Sequence, residues 1–338
     1  MRVTVTAHAR LHFGFIDPDG ALGRMFGSIG LAIDKPTVTI EATPADRLVA
    51  AGYERSRVLL LARRFLSHYK LRQGARLSVK ATIPAHVGLG SGTQLALGVA
   101  SALARLYSID ADVRELAAIM GRGARSGIGI TAFERGGFIV DAGRKTALSA
   151  ERRASSADKT VERGAWSVED VPPTIVRYPF PKEWVFVVAI PRVGHGLAGT
   201  AEISAFHRLA GRPTAAAGRL SRILLMQMLP AVLERDPVVF GESLTSIQRI
   251  VGAWFRPVQG GTFATTQGAA LAKAMSRAGA LGVGQSSWGP TVYGLAGDMG
   301  MALSIMDTMR RSTSATIQAD IFTTHASNRR ATISTSSL

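Results

Sequence analysis

The chain has 338 residues, 46% of them hydrophobic, and no cysteine, which excludes disulfides, thiolate zinc sites and cysteine nucleophiles together. Forty Lys and Arg against 24 Asp and Glu give a formal net charge of +16. No basic run exceeds two residues and no helix-turn-helix, zinc-finger or RNA-binding signature occurs, so an anionic small molecule is the expected partner rather than nucleic acid.

In chain order, Met1–Val5 reads as a strand rather than a signal peptide. The longest apolar runs, such as Trp184–Ile190, fall short of the ~20 residues that span a bilayer, so no membrane partner and a cytoplasmic location are expected. His8 and His12 are four apart on this first strand and face one way; with Asp17 their spacing allows a metal site, but strand alternation favours a core or hydrogen-bonded role over it. The rest of the first half reads as strands up to Leu77, Val79, Ala81 and Ile83, which alternate with polar residues until Pro84 ends the run.

Residues 84–98 then form a strand exit, a glycine-rich loop and a helix start in unbroken succession. Gly88, Gly90 and Gly92 let backbone N–H groups approach a ligand, while Leu95, Val99, Leu103 and Leu106 mark an amphipathic helix whose N-terminus favours negative charge. The expected ligand is phosphate or pyrophosphate, held by His86, Gly88, Leu89, Gly90, Ser91, Gly92 and Thr93. Neither G-x-x-x-x-G-K-[ST] nor a complete G-x-G-x-x-G is present.

A second helix is expected from about Asp112 to Met120, then a shaped, glycine-rich loop from Gly121 to Gly143 that leads into a strand at Phe138–Val140. Residues 144–175 read as an exposed connection between a domain of residues 1–173 and another of residues 174–338. The second domain starts with a strand at Trp184–Ile190 and continues as mostly helix from Thr200 to Glu242, with His195 in a glycine-rich turn before it. Thr332–Leu338 is expected to fray.

The loop resembles the P-x3-G-L-G-S-S-A loop of the GHMP superfamily of small-molecule kinases, with Ser91-Gly92-Thr93 in place of Ser-Ser-Ala. Further blocks are similar to one branch of that superfamily, the β-ribofuranosylaminobenzene 5′-phosphate synthases: Arg10–Asp17 with Gly23-Arg24 and Gly27–Ile33, Arg122–Ile130 with Phe133–Asp141, Pro257–Gly261, and Gly284–Gly294. The resemblance spans roughly residues 8–297. It implies an α+β, two-domain GHMP-kinase-like fold, with a ribosomal-protein-like N-terminal domain and a ferredoxin-like α/β sandwich at the C-terminus.

The branch implies joining of phosphoribosyl pyrophosphate to a 4-aminobenzoate or 4-hydroxybenzoate, with loss of pyrophosphate and carbon dioxide, on the way to methanopterin-type cofactors. Many GHMP kinases carry an aspartate after the second helix; here Gly127–Ala132 offers none, and Glu134 and Asp141 are the nearest carboxylates. Arg10, His12, Arg24, Arg122 and Glu134 form the expected catalytic set. Arg10, Arg24, Arg122 and Arg125 are candidates for gripping the benzoate carboxylate or the 5-phosphate. Ser286, Ser287, Trp288 and Gly289 are expected at the acceptor, with Phe13 and Phe133 as further aromatic candidates. Asp17 and Glu202 are the expected carboxylates near an Mg2+, and a homodimer is implied. An ATP-dependent GHMP kinase and a non-catalytic basic binding protein are the competing readings.

Overall fold

The computed structural model describes residues 1–146, 167–192, 214–312 and 318–337. Strand β1 (Arg2–Asp17) buries Val3, Val5, Ala7, Ala9 and Leu11 on one face, the period of a half-buried strand. It pairs antiparallel with β2 (Arg24–Ala45), whose one half also pairs with β4 (Gly74–Ala81) and whose other half pairs with β5 (Phe138–Asp141). Helix α1 (Arg55–His68) links β3 (Val49–Gly52) to β4, and these two strands run parallel. Strands β6 (Arg144–Lys145), β7 (Thr174–Tyr178) and β12 (Thr332–Ser336) complete this first sheet of eight strands.

The second sheet is antiparallel, in the order β11 (Ala319–His325), β8 (Val185–Pro191), β10 (Val292–Ala296), β9 (Gly282–Gln285). Helix α8 (Thr266–Arg277) precedes β9, and α9 (Met299–Ser312) joins β10 to β11. That order with those crossovers is the split β-α-β arrangement of a ferredoxin-like sandwich.

Helix α2 (Ser91–Leu106) is apolar nearly all round because it is the central helix of the first half, packed on β1 and β2. Helices α3 (Val113–Ile119) and α4 (Ile128–Glu134) lie beside it. The two sheets share one core through Phe13 on β1. Its ring centroid lies 6.4 Å from Phe138, 6.1 Å from Phe186 on β8, 5.4 Å from Tyr293 on β10, and 6.4 Å from Phe240 on α7 (Pro237–Gln259).

Several expectations change. The first half holds α1, whose buried Val58, Leu61, Ala62 and Phe65 follow helical spacing. The segment 121–143 is not loop throughout, since α4 forms within it; only Gly129 lies inside that helix and the other glycines flank it. The described end of the connection 144–175 includes the start of β7. Because β7 and β12 both join the first sheet, a division at residues 173 and 174 cuts through that sheet. Thr332–Ser336 is a strand, not a frayed end: all five side chains are exposed, so no apolar period marks it, and its backbone pairs with the edge of β1.

The helical stretch expected over 200–242 is described from Thr214. Helix α5 (Thr214–Ile223) passes through a π turn at Leu224–Met228 into α6 (Leu229–Glu234), where Pro230 withholds an N–H. Arg235 ends it in the left-handed conformation, and the Asp236 carboxylate accepts the Val238 and Val239 N–H groups at 3.0 Å to cap α7. His195 and Glu202 lie outside the described residues.

Phe13→Ala should lower the unfolding free energy by about 3–5 kcal/mol, the usual cost of emptying a buried aromatic site. Urea unfolding followed by far-UV circular dichroism checks it, and both sheets should melt in one earlier transition.

Candidate active site

Gly90 adopts φ 82° and opens α2 with no side chain capping it; the Thr93 N–H donates to the Gly90 carbonyl at 3.1 Å, and the Ser91 and Gly92 N–H groups before it receive no side-chain cap. Gly88, at φ +89°, has no room for a side chain: a Cβ there would lie 2.2 Å from the Ser286 carbonyl oxygen. The two glycine-rich loops therefore touch backbone to backbone. The Gly88 carbonyl accepts hydrogen bonds from the Arg10 guanidinium and from Ser286 Oγ, the latter at 2.6 Å. Ser286 Oγ in turn accepts the His12 N–H at 3.0 Å, and the Ser287 N–H donates to the His12 carbonyl at 3.1 Å. Strand β1, the loop after β4 and the loop after β9 thus meet at one point.

They enclose a cavity of about 370 Å³. Arg10, Arg57, Arg122, Arg125, His12 and His86 line it, with Ser91, Thr93, Ser126 and Ser287. No Asp or Glu is in the lining among the described residues. The Arg122 Nε is buried with no hydrogen-bond partner. Burial, reinforced by Arg57 and Arg64, pushes the Arg122 guanidinium down to about 10. Arg57 and Arg122 stand over the helix start, since a Cβ on Gly92 would meet Arg57 Nη2 at 2.8 Å and Arg122 Nη1 at 3.5 Å. Guanidinium groups converging on a helix N-terminus that no side chain caps can hold a polyanion.

Part of the lining is aromatic. Trp288 stacks on Phe255 with centroids 4.3 Å apart and planes at 20°, and Phe15 lies 4.8 Å from the His12 ring. Both Trp288 and Phe15 line the cavity. An anionic molecule with a flat apolar part matches both parts of the lining together.

The structure gathers Arg10, His12, His86, Gly88, Gly90, Ser91, Gly92, Thr93, Arg122, Arg125, Ser287, Trp288 and Gly289 around this cavity. Leu89 and Ser286 sit behind it, Leu89 buried in the core with its carbonyl accepting the Arg10 N–H at 3.1 Å. Three expected residues are elsewhere. Arg24 donates to the carbonyls of Ala142 and Gly143 at 2.8 Å and ties β2 to the next turn. Glu134 ends α4 and pairs with Arg135 at 3.5 Å. Asp17 closes a turn, accepting the Asp19 N–H at 2.9 Å. No cluster of three or more metal-ligating side chains forms among the described residues.

Phe13 and Phe133 are core residues rather than cavity wall. Asp141 acts as scaffold: its carboxylate accepts the Gly127 and Gly143 N–H groups, each at 2.8 Å, which holds the turn after Arg125. Burial raises that carboxyl to about 6 despite these bonds. Arg57 was not legible in the sequence, because it stands on α1 with no motif around it.

Gly88→Ala should force the two loops apart. Wild-type protein should melt later with added pyrophosphate, by about 2.7 kcal/mol at a hundredfold excess over Kd, and the variant should show little of that gain in a thermal-shift titration. Equal stabilisation of both proteins would show that the loop contact does not shape the anion seat.

The family model for the GHMP kinases N terminal domain matches residues 56–137, and the model for the GHMP kinases C terminal matches residues 228–311. A β-ribofuranosylphenol 5′-phosphate synthase of Methanothermobacter thermautotrophicus is 36% identical over 309 residues, covering 87% of this chain and 88% of the relative. Its Archaeoglobus fulgidus counterpart is 34% identical over 289 residues, 85% of each chain. Among solved structures, Lactococcus lactis galactokinase, complexed with galactose, superposes with a TM-score of 0.69 over 98% of this chain and 95% of its own, at 12% identity, a likeness of fold alone. The chain belongs to the β-ribofuranosylphenol 5′-phosphate synthase family, the branch of the GHMP superfamily that its sequence blocks resemble.

Proposed function

We propose that the chain is a decarboxylating pentosyltransferase: it moves phosphoribosyl from phosphoribosyl pyrophosphate to a 4-hydroxybenzoate or 4-aminobenzoate and releases pyrophosphate and carbon dioxide. One observation supports this most: a cavity rich in arginine, closed by an aromatic wall, with no carboxylate in its described lining. Departure of pyrophosphate leaves an oxocarbenium-like ribose, so the reaction needs charge stabilised at the leaving group more than it needs a strong base. The helix start at Gly90, with Arg57 and Arg122 above it, is suited to the diphosphate. Arg10 and Arg125 are suited to the benzoate carboxylate or the 5-phosphate, since a guanidinium binds either through paired N–H groups.

The ring lies against Trp288 and Phe15 in this reading. Its carboxylate-bearing carbon attacks ribose C1 as the bond to pyrophosphate breaks, and loss of carbon dioxide returns its bonding pair to the ring. No ring proton need be removed.

The described lining offers hydroxyls but no carboxylate to a metal, so these side chains do not build a seat for a resident Mg2+. The proposal places Mg2+ on the incoming diphosphate, where substrate oxygens and water supply its ligands. A homodimer and a cytoplasmic setting belong to the same proposal.

Protein incubated with Mg2+, phosphoribosyl pyrophosphate and either benzoate should release carbon dioxide and pyrophosphate in equal amounts. Failure with both acceptors, together with ADP formation from ATP and an alcohol, would replace this reading with a kinase.

A further inference from the structure

His12 is 2% exposed, and both of its ring nitrogens are buried without a hydrogen-bond partner. A buried polar group left unpaired costs stability, so its persistence calls for a ligand that completes it. His12 borders the main cavity and also a second pocket of about 10 Å³, shared with Phe255, Gln285 and Ser287. That small pocket holds at most about one water, so the main cavity is where a larger partner would reach the ring.

The position of His12 along β1 defines what it would meet. Arg10 and His12 are alternate residues of one strand and line the same cavity, which sets them roughly 6–7 Å apart along the chain. This is comparable with the length of a benzoate from its carboxylate to its 4-substituent. With the carboxylate at Arg10 and the ring along Phe15 and Trp288, the 4-substituent falls at His12. Resting on the transfer reading above, we infer that His12 accepts the proton of a 4-hydroxyl on the acceptor as the ring attacks ribose, and returns it as carbon dioxide leaves.

The step balances. The ring forms its bond to C1 with a π pair, and pyrophosphate departs with the pair of the broken C–O bond. The 4-hydroxyl, made strongly acidic by the positive charge on the ring, gives its proton to the imidazole and becomes a carbonyl. Loss of carbon dioxide then sends the carboxyl bonding pair through the ring to that oxygen, which recovers the proton from His12.

A 4-amino group behaves differently: its nitrogen donates a lone pair while keeping both protons, so it has no need of a base. His12 is thus a specificity residue that favours the hydroxy acceptor. Burial, and to a lesser degree the nearby Arg10, hold its pKa well below the ordinary histidine value, so the imidazole is neutral and free to accept. The charged or titratable groups that share the cavity are Arg10, Arg57, Arg122, Arg125 and His86; the arginines cannot accept a proton, and His86 is exposed.

The test is the selectivity of His12→Gln, which can still accept a hydrogen bond but cannot carry the proton. Its ratio of kcat/KM for 4-hydroxybenzoate over 4-aminobenzoate should fall about a hundredfold or more. Difluorination beside the hydroxyl, which ionises it before binding, should restore much of the loss relative to wild type. Equal losses with all acceptors would overturn the role and leave His12 structural. Wild-type protein offers a measurement free of folding concerns: the single-turnover solvent deuterium isotope effect should be larger with 4-hydroxybenzoate than with 4-aminobenzoate, and equal effects would also overturn the inference. Wild-type protein that turned over neither acceptor would instead refute the transfer reading itself.

Discussion

The site depends on one backbone carbonyl. Gly88 presents its oxygen to Arg10 from β1 and to Ser286 from the second glycine-rich loop, and it does so only because no side chain intervenes. These bonds tie the glycine-rich loop that precedes α2 to both of its neighbours. They also set the faces of β1 and the Trp288 loop toward one another, so the aromatic wall is placed by the same contact as the anion seat. Both lie at the seam between two sheets that are themselves joined through the ring of Phe13.

Like charges crowd this seam. Arg122 is buried, its nearest charged neighbours are also arginines, and its Nε has no partner. Glu54 pairs at 3.3 Å with Arg57, itself one of the lining arginines, and not with Arg122, while the Asp141 carboxylate accepts from the backbone of its own turn. An incoming polyanion relieves this repulsion, and a leaving group that gains negative charge relieves it further. Stabilisation that grows along the reaction is what lowers a barrier.

The sequence revealed the glycine-rich loop and the helix after it well because their signal is local. Glycine spacing, a strand before it and helical periodicity after it all fall within residues 77–106, and α2 begins at the expected place. Trp288 and Ser287 were also legible, as members of a compact block. Arg57 was hidden because exposed-looking helical arginines are common and only the packing of α1 against α2 carries this one to the cavity. Arg24 and Glu134 misled for the converse reason: they flank the right blocks, but their side chains turn to backbone carbonyls and to Arg135. Strand β12 left no trace, since an edge strand held by backbone bonds requires no buried side chain. The return of β7 and β12 to the first sheet is likewise a matter of topology, which a linear division of the chain cannot capture.

The central claim is that bond breaking occurs at ribose carbon rather than at phosphorus. Phosphoribosyl pyrophosphate labelled with oxygen-18 in the bridge between C1 and the diphosphate distinguishes the two directly by mass spectrometry of the products. The account predicts that all of the label leaves in pyrophosphate. Label retained on the ribose would mean cleavage at phosphorus, and would contradict it.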